Sequence, residues 1–361
     1  EFRISFQFSD LLPFLFVLVG SLPFLTGSEA VNTKIMLLVL LFVLYIYFRL
    51  VLSVVKVSEY VFSLFLILTA LVESIWGLRQ LYGFIPSQHS FFLLTGSFFN
   101  PGPFSGYLAM VTPMAFYYLL SDYKVWNRKF NLQYGLFYLR WLVSAATLIV
   151  VLLVLPAAMS RAAWLATIGG CGVVLFLKIK HKLRIKEFVQ KYRVRILKVA
   201  GVTFVFLIAG IWGMYSLKKD SADGRILIWK NTITAIAENP GGVGIGNFAG
   251  TYGKQQAGYF QSGRGTEQEK LVAGNPEYAF NEYLQIGLES GLAGLLLFLL
   301  IAGMAVVKAI KYKQFATLGA LVSLLIFASM SYPFSVLPFL IVFVFLLANA
   351  QSAQFRNLRF N

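Results

Sequence analysis

Histidine, cysteine and acid are all scarce in this chain. Of 361 residues, two are histidines (His89 and His181), one is a cysteine (Cys171) and 15 are Asp or Glu. A lone cysteine excludes an internal disulfide and any multi-cysteine metal site. Two histidines argue against a histidine-rich metal centre, and no metal or other cofactor is expected. Charge is thin as well: 13% of residues are charged, about half the fraction of a soluble domain.

Apolar residues are what the chain has in quantity, at 58% of the total. Several apolar runs reach about 18 to 22 residues, the length that crosses a bilayer, and a soluble helical core would not need runs of that length. The expectation is an all-α integral membrane protein with about ten spans. They fall near 10–26, 34–55, 58–78, 104–121, 136–156, 160–177, 197–216, 286–308, 315–331 and 335–350. The net charge of +16 would suggest nucleic acid in a soluble protein. Here the basic residues gather in short loops between spans, so they report topology, and no nucleic-acid partner is expected. The segment Lys178–Lys198 holds nine Lys/Arg against one acid, Glu187, which marks the cytoplasmic side. Alternating outward from it puts the other short basic loops and both termini on that side. The first apolar run leads into further spans without a small-residue cleavage site, so no cleavable signal peptide is expected. The opening EFRISFQ has no methionine, which leaves room for an earlier span.

Two long segments then face outward, 79–103 and 217–285. The chain divides into about seven spans over 1–216, a large polar loop over 217–285 and about three spans over 286–361. In the loop, Asp223 or Ser221 caps a helix starting near Gly224. Ile226, Trp229, Ile233 and Ile236 give that helix one apolar face, suited to the membrane or to the span bundle. Asn239-Pro240-Gly241-Gly242 ends it. Gly242, Gly244 and Gly246 resemble a fragment of a dinucleotide loop, but no strand precedes them, and they read better as a tight backbone path. Residues 249–274 show little periodicity and suit a mobile flap, an acceptor-facing loop or a disordered stretch. Asn275-Pro276 reads as the N-cap and first position of the next helix. On that helix Glu282, Gln285 and Glu289, at i, i+3 and i+7, form a polar stripe entering a span.

The chemistry-bearing candidates lie at the outer ends of the spans. Arg161 follows Ser160 there, Arg225 opens the loop helix, and Lys218 and Lys219 stand just above the membrane. Guanidinium groups bind phosphate bidentately and a helix N-terminus adds backbone donors, so together they suit a lipid-linked phosphate or diphosphate. The alternative is that these side chains only reach for lipid headgroups. Glu282 and Glu289 offer a general base or, equally, structural hydrogen bonds between helices. His89, in the first outer segment, is a second candidate base or a solvated surface residue.

Three segments in order, SRAAWLATIGG (160–170), DGRILIWKNTITAIAENPGGVGIGNF (223–248) and FNEYLQIGLESGLAGLLLFL (280–299), resemble the core motifs of the O-antigen ligase / O-antigen polymerase superfamily. TGSFFNPGPFSGYLAM (95–110) is similar to that family's upstream Asn-Pro element. The resemblance implies a GT-C-like glycosyltransferase in the bacterial inner membrane, with short helices in a large periplasmic loop. It implies a metal-independent, inverting transfer of glycan from an undecaprenyl-diphosphate carrier to lipid A-core, a glycan or a protein hydroxyl. Arg161 and Arg225 would hold the diphosphate. Ser160, Asn100, Asn247, Asn281, Gln285 and His89 would join Lys218 and Lys219 around the substrates. The family often has histidine before the third-motif asparagine as the acceptor base, and here Phe280 precedes Asn281. Either Glu282, the favoured substitute, or His89 takes that role, or the acceptor needs less activation, or this copy is inactive. A polymerase extending the carrier-linked glycan is the alternative within the class. A transporter of lipid-linked glycan is the alternative outside it, and the scarcity of ionisable residues mid-span argues against it.

Overall fold

A computed structural model describes residues 7–21, 29–54, 58–122, 132–182 and 219–358. Every regular element among them is helical. In chain order they are α1 (Phe8–Ser21), α2 (Glu29–Val54), α3 (Ser58–Leu81), α4 (Pro101–Asp122), α5 (Leu132–Ala157) and α6 (Arg161–Lys182). The polar segment then supplies α7 (Lys219–Glu238), α8 (Phe248–Gln261), α9 (Glu267–Val272) and α10 (Glu282–Glu289). Three more follow, α11 (Gly291–Lys311), α12 (Phe315–Ala328) and α13 (Leu337–Leu358), with a 3₁₀ turn at Pro333–Ser335.

Five of these, α2, α3, α5, α6 and α11, are long and apolar enough to cross a membrane. Helices α1 and α12 and the first part of α13 are shorter apolar helices. The expected span 197–216, Lys218 and most of the basic stretch after Lys178 lie outside the described residues. The expected span 104–121 forms as α4, enclosed by other helices. Residues Pro103 to Ala115 of α4 are buried without interruption, so α4 is the centre of the bundle and not a lipid-facing span. That position explains its polar content. Pro113 leaves the Ala109 carbonyl without a helical donor, and Ser323 Oγ of α12 donates to it at 2.7 Å. Helices α6 and α12 meet over Pro113, where a Cβ on Gly170 would lie 2.7 Å from the Gly319 carbonyl oxygen. Small residues at such crossings let apolar helices approach closely.

Helices α3, α4, α5, α6 and α12 form one packed group, and α1, α2, α11 and α13 form a second. Buried polar pairs pin one end of the assembly. Arg49 pairs with Asp10 at 2.8 Å and donates to Ser352 at 2.9 Å. Lys308 Nζ reaches Gln7, Ser9 and Gln351. Arg140 pairs with Asp122 at 2.8 Å while lying 3.7 Å from the centre of the Tyr118 ring. Removing one partner of such a buried pair typically costs about 3–5 kcal/mol. Helices α7 to α10 occupy the opposite end.

Helix α7 forms but begins at Lys219, five residues before Gly224, so Ser221 and Asp223 lie inside its first turns and do not cap it. Leu227, Asn231 and Ala235 make its buried ridge, while Ile226 and Ile233 are 55% and 56% exposed. These two share an outward apolar stripe, the arrangement of a helix lying at a membrane interface. The stretch 249–274 is helical and not irregular. Helix α8 buries Phe248, Tyr252 and Tyr259, spaced i, i+4 and i+11. Helix α9 starts on a capping box between Thr266 and Glu269, and Glu269 also accepts from the Tyr259 hydroxyl at 2.8 Å. The helix expected from Asn275-Pro276 begins later, at Glu282. Its cap is Asn281, whose Oδ1 accepts from the Tyr283 and Leu284 N–H groups at 3.0 and 3.2 Å.

The span expected from 286 breaks at Ser290 and restarts at Gly291, because the glycine-rich strip runs against the break. The Val243 and Gly244 N–H groups donate to the Leu288 and Glu289 carbonyls, both at 2.9 Å, and Leu292 N–H donates to Pro240 at 3.0 Å. Gly242 has φ +90°, and a Cβ there would sit 2.5 Å from the Gly291 backbone nitrogen. Both the conformation and the contact exclude a side chain. Gly242→Ala is expected to destabilise the protein by about 2–5 kcal/mol, from left-handed backbone plus overpacking. Gly250→Ala, in open space on α8, should instead stabilise by about 0.5–1 kcal/mol. Unfolding midpoints in detergent measure both, and equal midpoints would refute the tight-path reading of the strip.

Candidate functional site

The hairpin 329–336, which joins α12 to α13, stands at the seam between the two helix groups and carries polar contacts on both of its sides. On one side Arg225 Nη1 donates to the Met330 carbonyl at 2.8 Å. The same guanidinium lies 5.1 Å from the centre of the Phe280 ring. Phe280 meets Tyr332 edge-on at 5.3 Å, and Tyr332 stacks on Tyr278 at 4.6 Å with 10° between the ring planes. Burial lowers the Arg225 pKa, the charge of Arg161 lowers it further, and Tyr332 opposes the shift. An arginine still stays protonated at any physiological pH. The two arginines picked out by sequence are therefore close enough to repel. Two cations so held favour an anion between them.

Their surroundings are ordered. Ser160 Oγ accepts from the Ala163 N–H at 3.4 Å at the start of α6, the helix that carries Arg161. Asn100 Oδ1 accepts from Gly102 N–H at 2.9 Å and so caps α4. That corner adjoins the site, because a Cβ on Gly102 would lie 3.9 Å from the Tyr332 hydroxyl.

On the other side of the hairpin lies a carboxyl cluster. Glu282 is 3% exposed, and its Oε1 accepts from Phe334 N–H at 2.6 Å. Burial raises its pKa to about 8, and the neighbouring charge of Glu289 adds to the rise. The Phe334 and Ser335 N–H groups and Lys34 oppose it. Gln285 Oε1 accepts from Ala279 N–H at 3.1 Å, which fixes the approach to Phe280. The expected stripe is real: Glu282, Gln285 and Glu289 are all buried and line one cavity of about 360 Å³, together with Tyr278 and Lys34. The Phe280–Tyr332–Tyr278 rings thus connect the arginine side to the carboxyl side.

Phe280 stands where a histidine was expected and has φ +51°, an unusual conformation for a bulky residue. Such strain persists where the surroundings enforce it. Here the Trp229 indole N–H grips the preceding carbonyl, that of Ala279, at 3.0 Å, and the cap at Asn281 fixes the following residue.

Other expected residues are engaged elsewhere. His89 Nδ1 accepts from Phe91 N–H at 3.1 Å, and its ring packs 4.7 Å from that of Phe92. Its loop is held by Gln80, whose Oε1 accepts from the Thr95 and Gly96 N–H groups. Asn247 Nδ2 donates to the Val243 carbonyl at 2.8 Å and serves the turn before α8. Asn281 is a helix cap. Lys219 begins α7, and its side chain lies outside the described residues. Sequence reasoning passed over Tyr332, Tyr278 and Lys34. The available signals were a Ser-Tyr-Pro-Phe turn between two apolar runs and a cation in the early turns of the apolar helix α2.

In comparison with known families, residues 145–299 fit the family model described as O-antigen ligase. The matched stretch contains Arg161, Arg225, Phe280 and Glu282, while Asn100, His89 and Tyr332 lie outside it. No curated protein matches the chain.

Proposed function

We propose, from the fit of residues 145–299 to the O-antigen ligase family model, that the chain is an inverting, metal-independent, GT-C-like glycosyltransferase of that superfamily. It moves a glycan from an undecaprenyl-diphosphate carrier to an acceptor hydroxyl. In this reading the enzyme lies in a bacterial inner membrane with about ten spans and cytoplasmic termini, and 217–285 is its periplasmic loop. The carrying observation is the juxtaposition at one hairpin of an interacting arginine pair, Arg161 and Arg225, with a buried carboxyl, Glu282, held at a pKa of about 8.

The reaction needs two things from the chain. Negative charge grows on the diphosphate as the bond from sugar C1 to the phosphate oxygen breaks, and preorganised guanidinium groups stabilise that charge without reorganising. The acceptor oxygen forms the new bond to C1 from the opposite face, and its proton passes to the Glu282 carboxylate. A base with a pKa near the working pH is well matched to that transfer. The sugar lies along the Tyr278–Tyr332–Phe280 rings, between the diphosphate and the base.

The test is transfer by the purified, reconstituted protein from undecaprenyl-diphosphate glycan, with lipid A-core, free glycan and protein acceptors offered separately. A product carrying one donor-length glycan is expected with one of these acceptors. A ladder of carrier-linked lengths would make the enzyme a polymerase. An unchanged donor in every mixture would overturn the transferase reading.

A further inference from the structure

The cavity beside Glu282 has two unlike ends. Helices α1, α2, α11 and α13 enclose it, and along its length it is walled by apolar side chains such as Phe16, Leu41, Leu340, Phe343 and Val344. Its far end closes at Tyr45, whose hydroxyl donates to Asp10. Its near end carries Lys34, Glu282, Gln285 and Glu289. A pocket of this size, mostly apolar with a few convergent polar groups, is the usual form of a small-molecule site.

Glu289 supplies the independent sign of a ligand. It is 8% exposed, and among the described residues its Oε1 has no hydrogen-bond partner. Gln285 and the backbone of Gly246 and Phe248 lie beside the carboxyl without satisfying that oxygen. Buried acceptors are almost always paired, so one left open in a cavity wall marks the place of a missing donor. Charge narrows the class. Among the described residues two carboxyl groups and one ammonium gather at this end and no arginine lines the cavity, so a phosphate head would find no bidentate partner. A hydroxyl head provides the donor without a charge to desolvate. The outward faces of α1 and α2 expose Phe14, Leu18, Leu40 and Val43, side chains suited to lipid, so the cavity borders the bilayer that holds such molecules.

We infer that this cavity binds a single-chain amphiphile with an uncharged, hydroxyl-bearing head, the hydroxyl donating to Glu289 and the chain lying between α2 and α13. Joined to the proposed transfer, the site holds the acceptor across the Tyr278–Tyr332 stack from the diphosphate. The binding itself does not depend on that reading.

The test uses the full chain in phospholipid nanodiscs and dodecyl glucoside with a photoreactive diazirine in its alkyl chain. Labelling is expected within 37–45 and 340–347. Unlabelled dodecyl glucoside should compete at least about ten-fold better than dodecyl phosphate. Glu289→Leu should weaken labelling about ten-fold, the order expected for one lost hydrogen bond to a charged group. Leu41→Trp, which fills the cavity, should abolish it. Labelling spread evenly over the lipid-facing helices, or equal competition by dodecyl phosphate, overturns the inference, and both readouts use unmutated protein. Labelling that persists in a protein unable to transfer glycan counts against the transferase alone. Transfer without site-selective labelling counts against this site alone.

Discussion

Arg225→Ala and Arg161→Ala are each expected to lower glycan transfer by at least about 10²–10³-fold, the usual loss when one preorganised donor to a developing anion is removed. The fold should survive. Arg225 gives up one hydrogen bond to the Met330 carbonyl and one ring contact with Phe280, about 1–2 kcal/mol together. Removing it also relieves its repulsion with Arg161. Membrane expression and the unfolding midpoint should therefore stay near wild type while transfer disappears. Arg225→Lys sharpens the test. It keeps the charge but replaces a planar fork with a point ammonium, which cannot hold Met330, lie over Phe280 and grip a phosphate at once. A lysine variant that fails like the alanine variant identifies bidentate geometry as the requirement. Normal transfer by both alanine variants would remove the diphosphate from this corner.

Arg161 was legible because Ser160 stands at the boundary that opens α6, and Arg225 because it follows Asp223-Gly224 in a polar stretch, although α7 begins earlier, at Lys219. What sequence could not give was their proximity, which depends on a hairpin more than a hundred residues away in the chain. The polar stripe Glu282–Gln285–Glu289 was legible because helical spacing alone puts these residues on one face. The cap at Asn281 was missed because Asn275-Pro276 offers the same local chemistry six residues earlier, while contacts distant in sequence, from Trp229 and Gln285 to Ala279, hold 275–281 in an irregular path. Helix α8 was hidden by composition. Its glycines and glutamines suggest a loop, whereas the spacing of Phe248, Tyr252 and Tyr259 carries the helical signal. On α7 the apolar face suited either the membrane or the bundle; Ile226 and Ile233 face outward, and the ridge packed inward, which holds the polar Asn231, was not legible. Hydropathy also cannot tell a span facing lipid from one surrounded by protein, which is why the central position of α4 was not legible in the sequence.

Glu282→Gln is expected to cut transfer by about 10²-fold or more, the usual contribution of a positioned general base, without weakening the fold. The two effects separate by pH. The folded-state pKa of about 8 lies above the ordinary 4.5 of a glutamate carboxyl. Between those values the folded protein holds a proton that the unfolded chain has released. The corresponding stability is complete below the lower value, falls as pH rises and is gone above the upper one. Glutamine does not titrate, so the unfolding midpoint of the variant should be flatter than wild type across this window and should equal or exceed it at the alkaline end. Transfer moves the other way. The base must be ionised, so wild-type kcat/KM should climb toward pH 8 and then level, while the variant should be slow and nearly pH-independent. A Glu282 that only ties the α12–α13 hairpin through Phe334 and Ser335 would change the stability profile and leave the rate profile alone. If Glu282→Gln transfers normally while His89→Ala does not, the base belongs to the 79–103 segment. That outcome would require the His89 ring to leave its present contacts with Phe91 and Phe92 and come to the arginine pair.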